Sequence, residues 1–400
     1  MPAVGPSRAR RTAAAGALVL ASVALVLVVA EIVLRVTGTV TPPLRVRDAK
    51  IGEHYLKDFD ERVYSGESGR RVRLRFDALG FRGPEHLRER GPNTKRVAVI
   101  GDSMVAALAV EEEETFVAQL GTMLSTRTPE RWEVLNFGVS ASSPSQGLVL
   151  HRELVSQFDV DVVLLAFFVG NDLSDSSREL DHYPRIYFEL DGDDLVERGL
   201  STSRSKGSSW LNQHSRFYVW QKRLVNRALH ASRETVSVLP PGWWIYSNEP
   251  TEPVEKAWTV LERVLAKFRA QVEATGARFA VVILPSGRQI YPKHFEAVAA
   301  FEGAEAFRPE YADRRIEQMC EVAEVECLSL VPAFKRAADR EPLLFFNGTG
   351  HFTPEGHHLA AKTIAPGVLR VISGSGGRTD SPRPSSGSNP PRPEATAADP

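Results

Sequence analysis

The sequence predicts an α/β domain with a five-stranded parallel sheet, carried behind one N-terminal membrane helix. Three observations lead there. Short apolar runs at Val97–Ile100, Val134–Phe137, Val162–Phe168, Phe279–Leu284 and Val325–Leu330 alternate with longer helical patterns. Continuous β-branched runs separated by helices are the pattern of βαβ units around a sheet buried on both faces. An unbroken apolar stretch opens the chain, and the residues best suited to chemistry fall just after the predicted strands.

The opening stretch comes first. Arg8, Arg10 and Arg11 precede an apolar run from Ala13 to Ala30 that continues past Glu31 as Ile32, Val33 and Leu34. A run of about 20 apolar residues spans a bilayer as a helix. The basic flank favours a cytoplasmic N-terminus and an extracytoplasmic domain, although Arg35, Arg45, Arg47 and Lys50 follow closely. The run is long for a signal core, which favours a retained anchor; the alternative is secretion after cleavage following Ala30.

The expected organisation is a disordered segment over 1–12, the anchor over 13–36, and an extension with short strands over 37–95. The α/β domain follows over 96–372, then a disordered Gly/Ser/Pro-rich tail over 373–400. In the extension, Val72-Arg73-Leu74-Arg75-Phe76 alternates as a strand does, and Gly80 and Gly83 mark turns. Helices are expected near 104–126, 144–158, 253–275 and 309–323 and from Pro354 onward. Residues 173–252 are too long for an ordinary connection. Their aromatics, among them Tyr183, Tyr187, Trp210, Trp220, Trp243 and Tyr246, fit either a substrate lid or a subdomain with its own core.

Composition excludes several classes. With 49 basic and 50 acidic residues the chain lacks the positive charge of a nucleic-acid binder. The run Glu111–Glu114 reads as a solvated helix start. Cys320 and Cys327 form no metal-binding pattern. They read as two small buried residues, with a disulfide as the alternative outside the cytoplasm. The first βα turn has no phosphate-cradling glycine loop, so neither an organic cofactor nor a metal is expected.

The first strand ends in Gly101-Asp102-Ser103, the second in Asn136 through Ala141, and the third in Gly170-Asn171-Asp172. Open parallel sheets place their sites at these carboxyl ends. A serine at such a turn is placed to attack, and an amide side chain with backbone N–H groups can hold an oxyanion. Near the end, His351 lies on a Gly-rich loop before a helix that Thr353 is placed to cap, with Pro354 in its first turn. A histidine there can take the serine proton and return it to a leaving group.

Taken together, these segments resemble the SGNH/GDSL hydrolase superfamily over about residues 95–372. Gly101-Asp102-Ser103, Asn136–Ala141, Gly170-Asn171-Asp172 and His351 with Gly356 match its blocks in order. Glu31 to Arg35, as E-x-x-L-R, and Leu79-Gly80-Phe81-Arg82-Gly83 look like its bacterial membrane-anchored branch. The resemblance implies a flavodoxin-like three-layer α/β/α sandwich. It implies Ser103 as nucleophile, His351 as base, and an oxyanion hole from the Ser103 N–H, the Ala141 N–H and the Asn171 amide. Gly138 is the alternative to Ala141, which stands where the family usually has glycine. The family's acid lies two or three residues before the histidine, where this chain has Thr349 and Gly348. Asn347, Thr349, a backbone carbonyl or a distant carboxylate is then left to orient His351.

The function expected is a membrane-anchored serine esterase or O-acyltransferase acting through an acyl-enzyme on a small-molecule, lipid or cell-surface glycan ester. The alternative is a weakly active or inactive domain of the same fold that binds glycan or a partner in exopolysaccharide or cell-wall assembly.

Overall fold

A computed structural model describes residues 8–199, 211–212, 214–230, 239–301, 303–339, 343–346 and 350–374. Trp210 and residues 375–400 of the expected tail lie outside these.

The sheet is five-stranded and parallel throughout. Its strands are β5 (Thr94–Gly101), β6 (Arg131–Gly138), β7 (Val162–Phe168), β10 (Arg278–Leu284) and β11 (Glu326–Ser329), in the order β11-β10-β7-β5-β6. Alternate side chains on each strand enter different cores, because successive Cβ atoms point to opposite faces. Ala98, Ile100, Val163 and Leu165 pack with α4 (Pro144–Glu153), α7 (Glu252–Glu273) and α8 (Pro309–Val322). Val97, Val99, Leu164 and Ala166 pack with α3 (Phe116–Ser125) and α9 (Pro354–Ser373). The result is a flavodoxin-like three-layer sandwich. Thr353 caps α9 through the Gly356 N–H, and a Cβ on Gly356 would stand 2.1 Å from the Leu344 carbonyl oxygen, so only glycine fits.

Ahead of the sandwich, α1 (Arg8–Thr37) contains Ala15–Thr37, 23 residues long and apolar enough to cross a membrane, with none of its most apolar window buried. The helix takes in 8–12, part of the stretch expected to be disordered. The 37–95 extension forms two antiparallel hairpins, β1 (Arg45–Asp48) with β2 (Gly52–Tyr55) and β3 (Phe59–Tyr64) with β4 (Arg71–Phe76). The alternation in β4 is real: Val72, Leu74 and Phe76 are buried in a small core of their own with Tyr55 and Phe59.

Two expectations need correction. The helix expected over 104–126 is broken into α2 (Ser103–Ala106), a 3-10 turn at Glu112–Glu114, and α3. Ala107 takes a left-handed φ of 50° and ends α2. The freed carbonyls of Ala106, Ala107 and Val110 accept hydrogen bonds from the guanidinium of Arg82, which is 1% exposed. The Leu79–Gly83 segment is therefore the plug that lets the chain turn away after Ser103. Second, Cys320 at the end of α8 and Cys327 on β11 form a disulfide, with Cα atoms 6.2 Å apart. That separation lies within the normal disulfide range.

The 173–252 insertion splits in character. It contains α5 (Asp172–Asp175), a hairpin of β8 (Tyr187–Asp191) and β9 (Asp194–Arg198), and α6 (Arg216–His230). Tyr187, Trp243 and Tyr246 are core residues, whereas Trp220 on α6 is exposed.

Removing the plug tests the broken-helix account. Arg82→Gln leaves buried carbonyls without a partner and is expected to lower stability by about 3 kcal/mol, read as a lower thermal midpoint of the detergent-purified chain.

Candidate active site

Ser103 opens α2 directly after β5, held by its neighbour. Asp102 is fully buried and accepts the Met104 N–H at 2.8 Å, which fixes the turn and leaves the Ser103 side chain facing a cavity. His351 reaches the same cavity from the loop before α9. Its Nε2 lies 2.8 Å from Ser103 Oγ. The pair expected from strand-end order is thus joined by a hydrogen bond.

The far nitrogen is engaged as well. His351 Nδ1 lies 2.9 Å from Oε2 and 3.1 Å from Oε1 of Glu67. Glu67 sits at the tip of the β3–β4 hairpin, between Gly66 and Gly69, and comes from the extension rather than from the loop before His351. The residues named for this role, Asn347 and Thr349, lie outside the described residues, as does Gly348. With Nδ1–H donating to Glu67, Nε2 is left as an acceptor for the Ser103 hydroxyl. Burial pulls the imidazole pKa down, but the hydrogen bond and charge of Glu67, aided by Asp102, outweigh it and hold it above the ordinary value.

The hairpin is clasped to the α/β domain by charge. Arg62 pairs with Glu111 at 3.2 Å and Arg75 with Glu112 at 3.1 Å, while Arg70 bonds Glu114 and the Arg73 N–H donates to Glu111. The Glu111–Glu114 run starts a 3-10 turn, as expected, and in addition serves as a clasp. Single exposed pairs contribute little, but four contacts in one patch fix a short hairpin in register.

The extension also supports the second block. The Ser140 N–H donates to the hydroxyl of fully buried Tyr55 at 2.8 Å, and Arg45 donates to the Ser140 carbonyl at 2.8 Å. Ala141 follows with φ 63°. A residue with a Cβ in this region costs about 1 kcal/mol, and the Ser140 contacts hold it there. Gly138 does not serve as the alternative: its N–H donates to Asn136 Oδ1 at 2.9 Å. A Cβ there would stand 2.4 Å from the Ala106 nitrogen, which explains the glycine by packing. Asn171 is placed differently from expectation. Its amide nitrogen donates to Asp175 at 2.8 Å and also bonds Asp102, and Asn171 is not among the residues that line the cavity.

Those carboxylates form a buried acidic floor beside the turn. Burial raises the pKa of Asp102 and raises that of Asp172 well above the usual carboxylate range, with the Asp102 charge adding to the second. Burial pushes Asp175 up to about 7, although Arg185 pairs with it at 2.8 Å.

The cavity beside Ser103 has a volume of about 220 Å³. Its walls are mostly apolar: Leu44, Val63 and Leu74 from the extension face Met104, Leu108 and Phe352 from the sandwich. A serine hydroxyl, an imidazole polarised by a carboxylate and an apolar pocket together suit attack on an acyl carbonyl. Among the described residues no cluster suited to a metal is present.

Residues 238–381 match the model of a family described as the SGNH hydrolase-like domain of the acetyltransferase AlgX. Those residues are similar to an SGNH hydrolase-like domain, and the match includes His351 but not Ser103. Solved structures similar to the chain include the lipase/acylhydrolase from Enterococcus faecalis, at 11% identity with 68% of this chain and 95% of that one covered and a TM-score of 0.37. The psychrotrophic esterase EstA from Pseudoalteromonas sp. is 13% identical over 70% of this chain and 99% of its own, with a TM-score of 0.36. An acetyl xylan esterase is 13% identical over 68% and 99%, with a TM-score of 0.37. No curated protein sequence matches the chain.

The sequence paired Ser103 with His351, which the hydrogen bond between them joins, and did not find Glu67, Tyr55 or the clasp. The only local trace of Glu67 is a carboxylate in a Ser-Gly-Glu-Ser-Gly turn, which reads as a hairpin tip. If Glu67 holds the imidazole pKa up, Glu67→Gln lowers it, because burial is then opposed only by the charge of Asp102. An NMR titration of His351 in both proteins checks this.

Proposed function

We propose that the protein is a membrane-anchored, extracytoplasmic acyl-transfer enzyme with a Ser103–His351–Glu67 triad. The observation that carries this reading is the continuous hydrogen-bonded chain from Ser103 Oγ through both imidazole nitrogens to Glu67. Ser103 Oγ attacks the ester carbonyl carbon as its proton passes to His351 Nε2, and Glu67 stabilises the imidazolium. The carbonyl π electrons move onto oxygen, and the N–H groups of Ser103 and Ala141 are the donors assigned to hold it. Asn171 joins this hole only by turning from Asp175. The tetrahedral intermediate collapses, and the departing alkoxide takes the proton from Nε2. The acyl group is left on Ser103 with its chain in the apolar cavity. Water or a hydroxyl of an acceptor then repeats the sequence in reverse.

The substrate class follows from place. Ala15–Thr37 is read as a retained anchor, and the Cys320–Cys327 disulfide favours an oxidising compartment. An esterified glycan or lipid at the cell surface is the substrate proposed. The apolar cavity favours small acyl groups, and the family description as an acetyltransferase agrees with transfer to or from a hydroxyl. The non-catalytic alternative rested on a missing acid, and Glu67 at Nδ1 removes that support.

A fluorophosphonate probe tests the nucleophile. Folded wild-type protein is expected to be labelled, and Ser103→Ala is expected to lose the label completely. Equal labelling of both would overturn the assignment.

A further inference from the structure

The helix α6 is amphipathic in the wrong sense for a water-soluble surface. Its body-facing side carries Val219, 4% exposed, and Arg216, which pairs with Glu61 at 2.8 Å. Its outward side carries Trp220 at 41%, Leu224 at 45% and Val225 at 52% exposure, with the Phe217 ring 5.7 Å from that of Trp220. Positions 217, 220 and 224 fall on one stripe of an α-helix. The stripe is apolar and faces away from the protein, and exposed patches of this kind mark interaction surfaces.

The attachment of α6 says which surface. Glu31, on the last turns of the apolar helix α1, accepts hydrogen bonds from the Arg216 and Phe217 N–H groups, each at 2.9 Å, and from the Ser215 hydroxyl at 3.0 Å. A carboxylate there satisfies the free N–H groups that begin a helix. Arg35 donates to the His214 carbonyl at 2.6 Å, and Arg223 to that of Thr41 at 3.0 Å. Glu31 lies six residues before the end of the Ala15–Thr37 span, which is about 9 Å along a helix axis. With the end of that span at the bilayer boundary, the first turn of α6 falls at the depth where interfacial helices lie, about 5–10 Å into the boundary. The sequence of α6 contains no acidic residue, and Lys222 and Arg223 lie between Trp220 and Leu224 in it.

We infer that α6 is an interfacial membrane helix. Its Phe217–Trp220–Leu224 stripe enters the same leaflet that α1 leaves, with Lys222 and Arg223 at the level of anionic headgroups. The inference rests on the reading of α1 as a retained anchor. It is independent of the chemistry at Ser103. Its structural meaning is orientation: α1 alone is a swivel, whereas a second contact pinned by Glu31 fixes which side of the domain faces the lipid.

The test uses the full chain in bilayers of phosphatidylcholine and phosphatidylglycerol with spin-labelled lipid as quencher. An environment-sensitive fluorophore is attached through Leu224→Cys, and separately through Val26→Cys in the span and Val322→Cys on the exposed end of α8. The fluorophore at position 224 is expected to shift to the blue and lose most of its emission to the quencher, as at position 26, while the one at 322 is unaffected. Adding Lys222→Glu and Arg223→Glu is expected to reduce the quenching at 224 and leave that at 26 unchanged. Quenching at 26 without quenching at 224 would overturn the interfacial helix and leave the anchor standing. No quenching at 26 would overturn the anchor and, with it, this inference. A blue shift at 224 that depends on protein concentration in lipid-free detergent would assign the stripe to a second copy of the chain instead.

Discussion

An imidazole works best as a general base when both of its nitrogens are held, and that requirement organises this molecule. Nε2 of His351 must face Ser103, while Nδ1 must donate to an acceptor that fixes the tautomer and stabilises the cation. The two partners here come from different parts of the chain. Ser103 ends a strand of the parallel sheet, and Glu67 tips a hairpin that precedes the sheet altogether. Glu67 and His351 are 284 residues apart in sequence, so the site closes only when the extension is docked.

Much of the remaining structure serves that docking. Arg62, Arg70 and Arg75 meet Glu111, Glu114 and Glu112, and so place the hairpin against the turn that follows α2. Arg82 terminates α2 by binding the carbonyls that its end exposes, which lets the acidic turn run where the hairpin needs it. Tyr55 and Arg45 hold Ser140, beside the left-handed Ala141. The same extension supplies half of the apolar wall of the cavity. Residues 37–95 are therefore part of the site and not a spacer between anchor and domain.

What was legible in the sequence follows from range. The five strands and the Ser103–His351 pair were readable because strand runs and strand-end turns are local patterns, and a parallel sheet brings its carboxyl ends together. The break after Ala106 was not readable. Residues 104–126 keep a helical rhythm, and the guanidinium that takes up the freed carbonyls lies more than twenty positions upstream. Glu67 was not readable for a similar reason. Nothing in a Gly/Ser turn states which histidine it will meet, and the expected acid position before His351 drew attention elsewhere. The acidic run was visible, but its partners lie on a hairpin whose register only the fold supplies. The outward apolar stripe of α6 was hidden by a different effect: periodicity gives the width of an apolar face but not the direction in which it points.

Reactivity at Ser103 turns on whether the distant carboxylate arms it. The most direct measurement is the rate at which Ser103 is acylated by an activated ester in Glu67→Gln, compared with wild type at a pH where both imidazoles are neutral. If Glu67 completes the triad, acylation falls by a factor on the order of 10³ to 10⁴ while the protein remains folded. An acylation rate equal to that of wild type would contradict the account and leave Ser103 and His351 to act as a dyad.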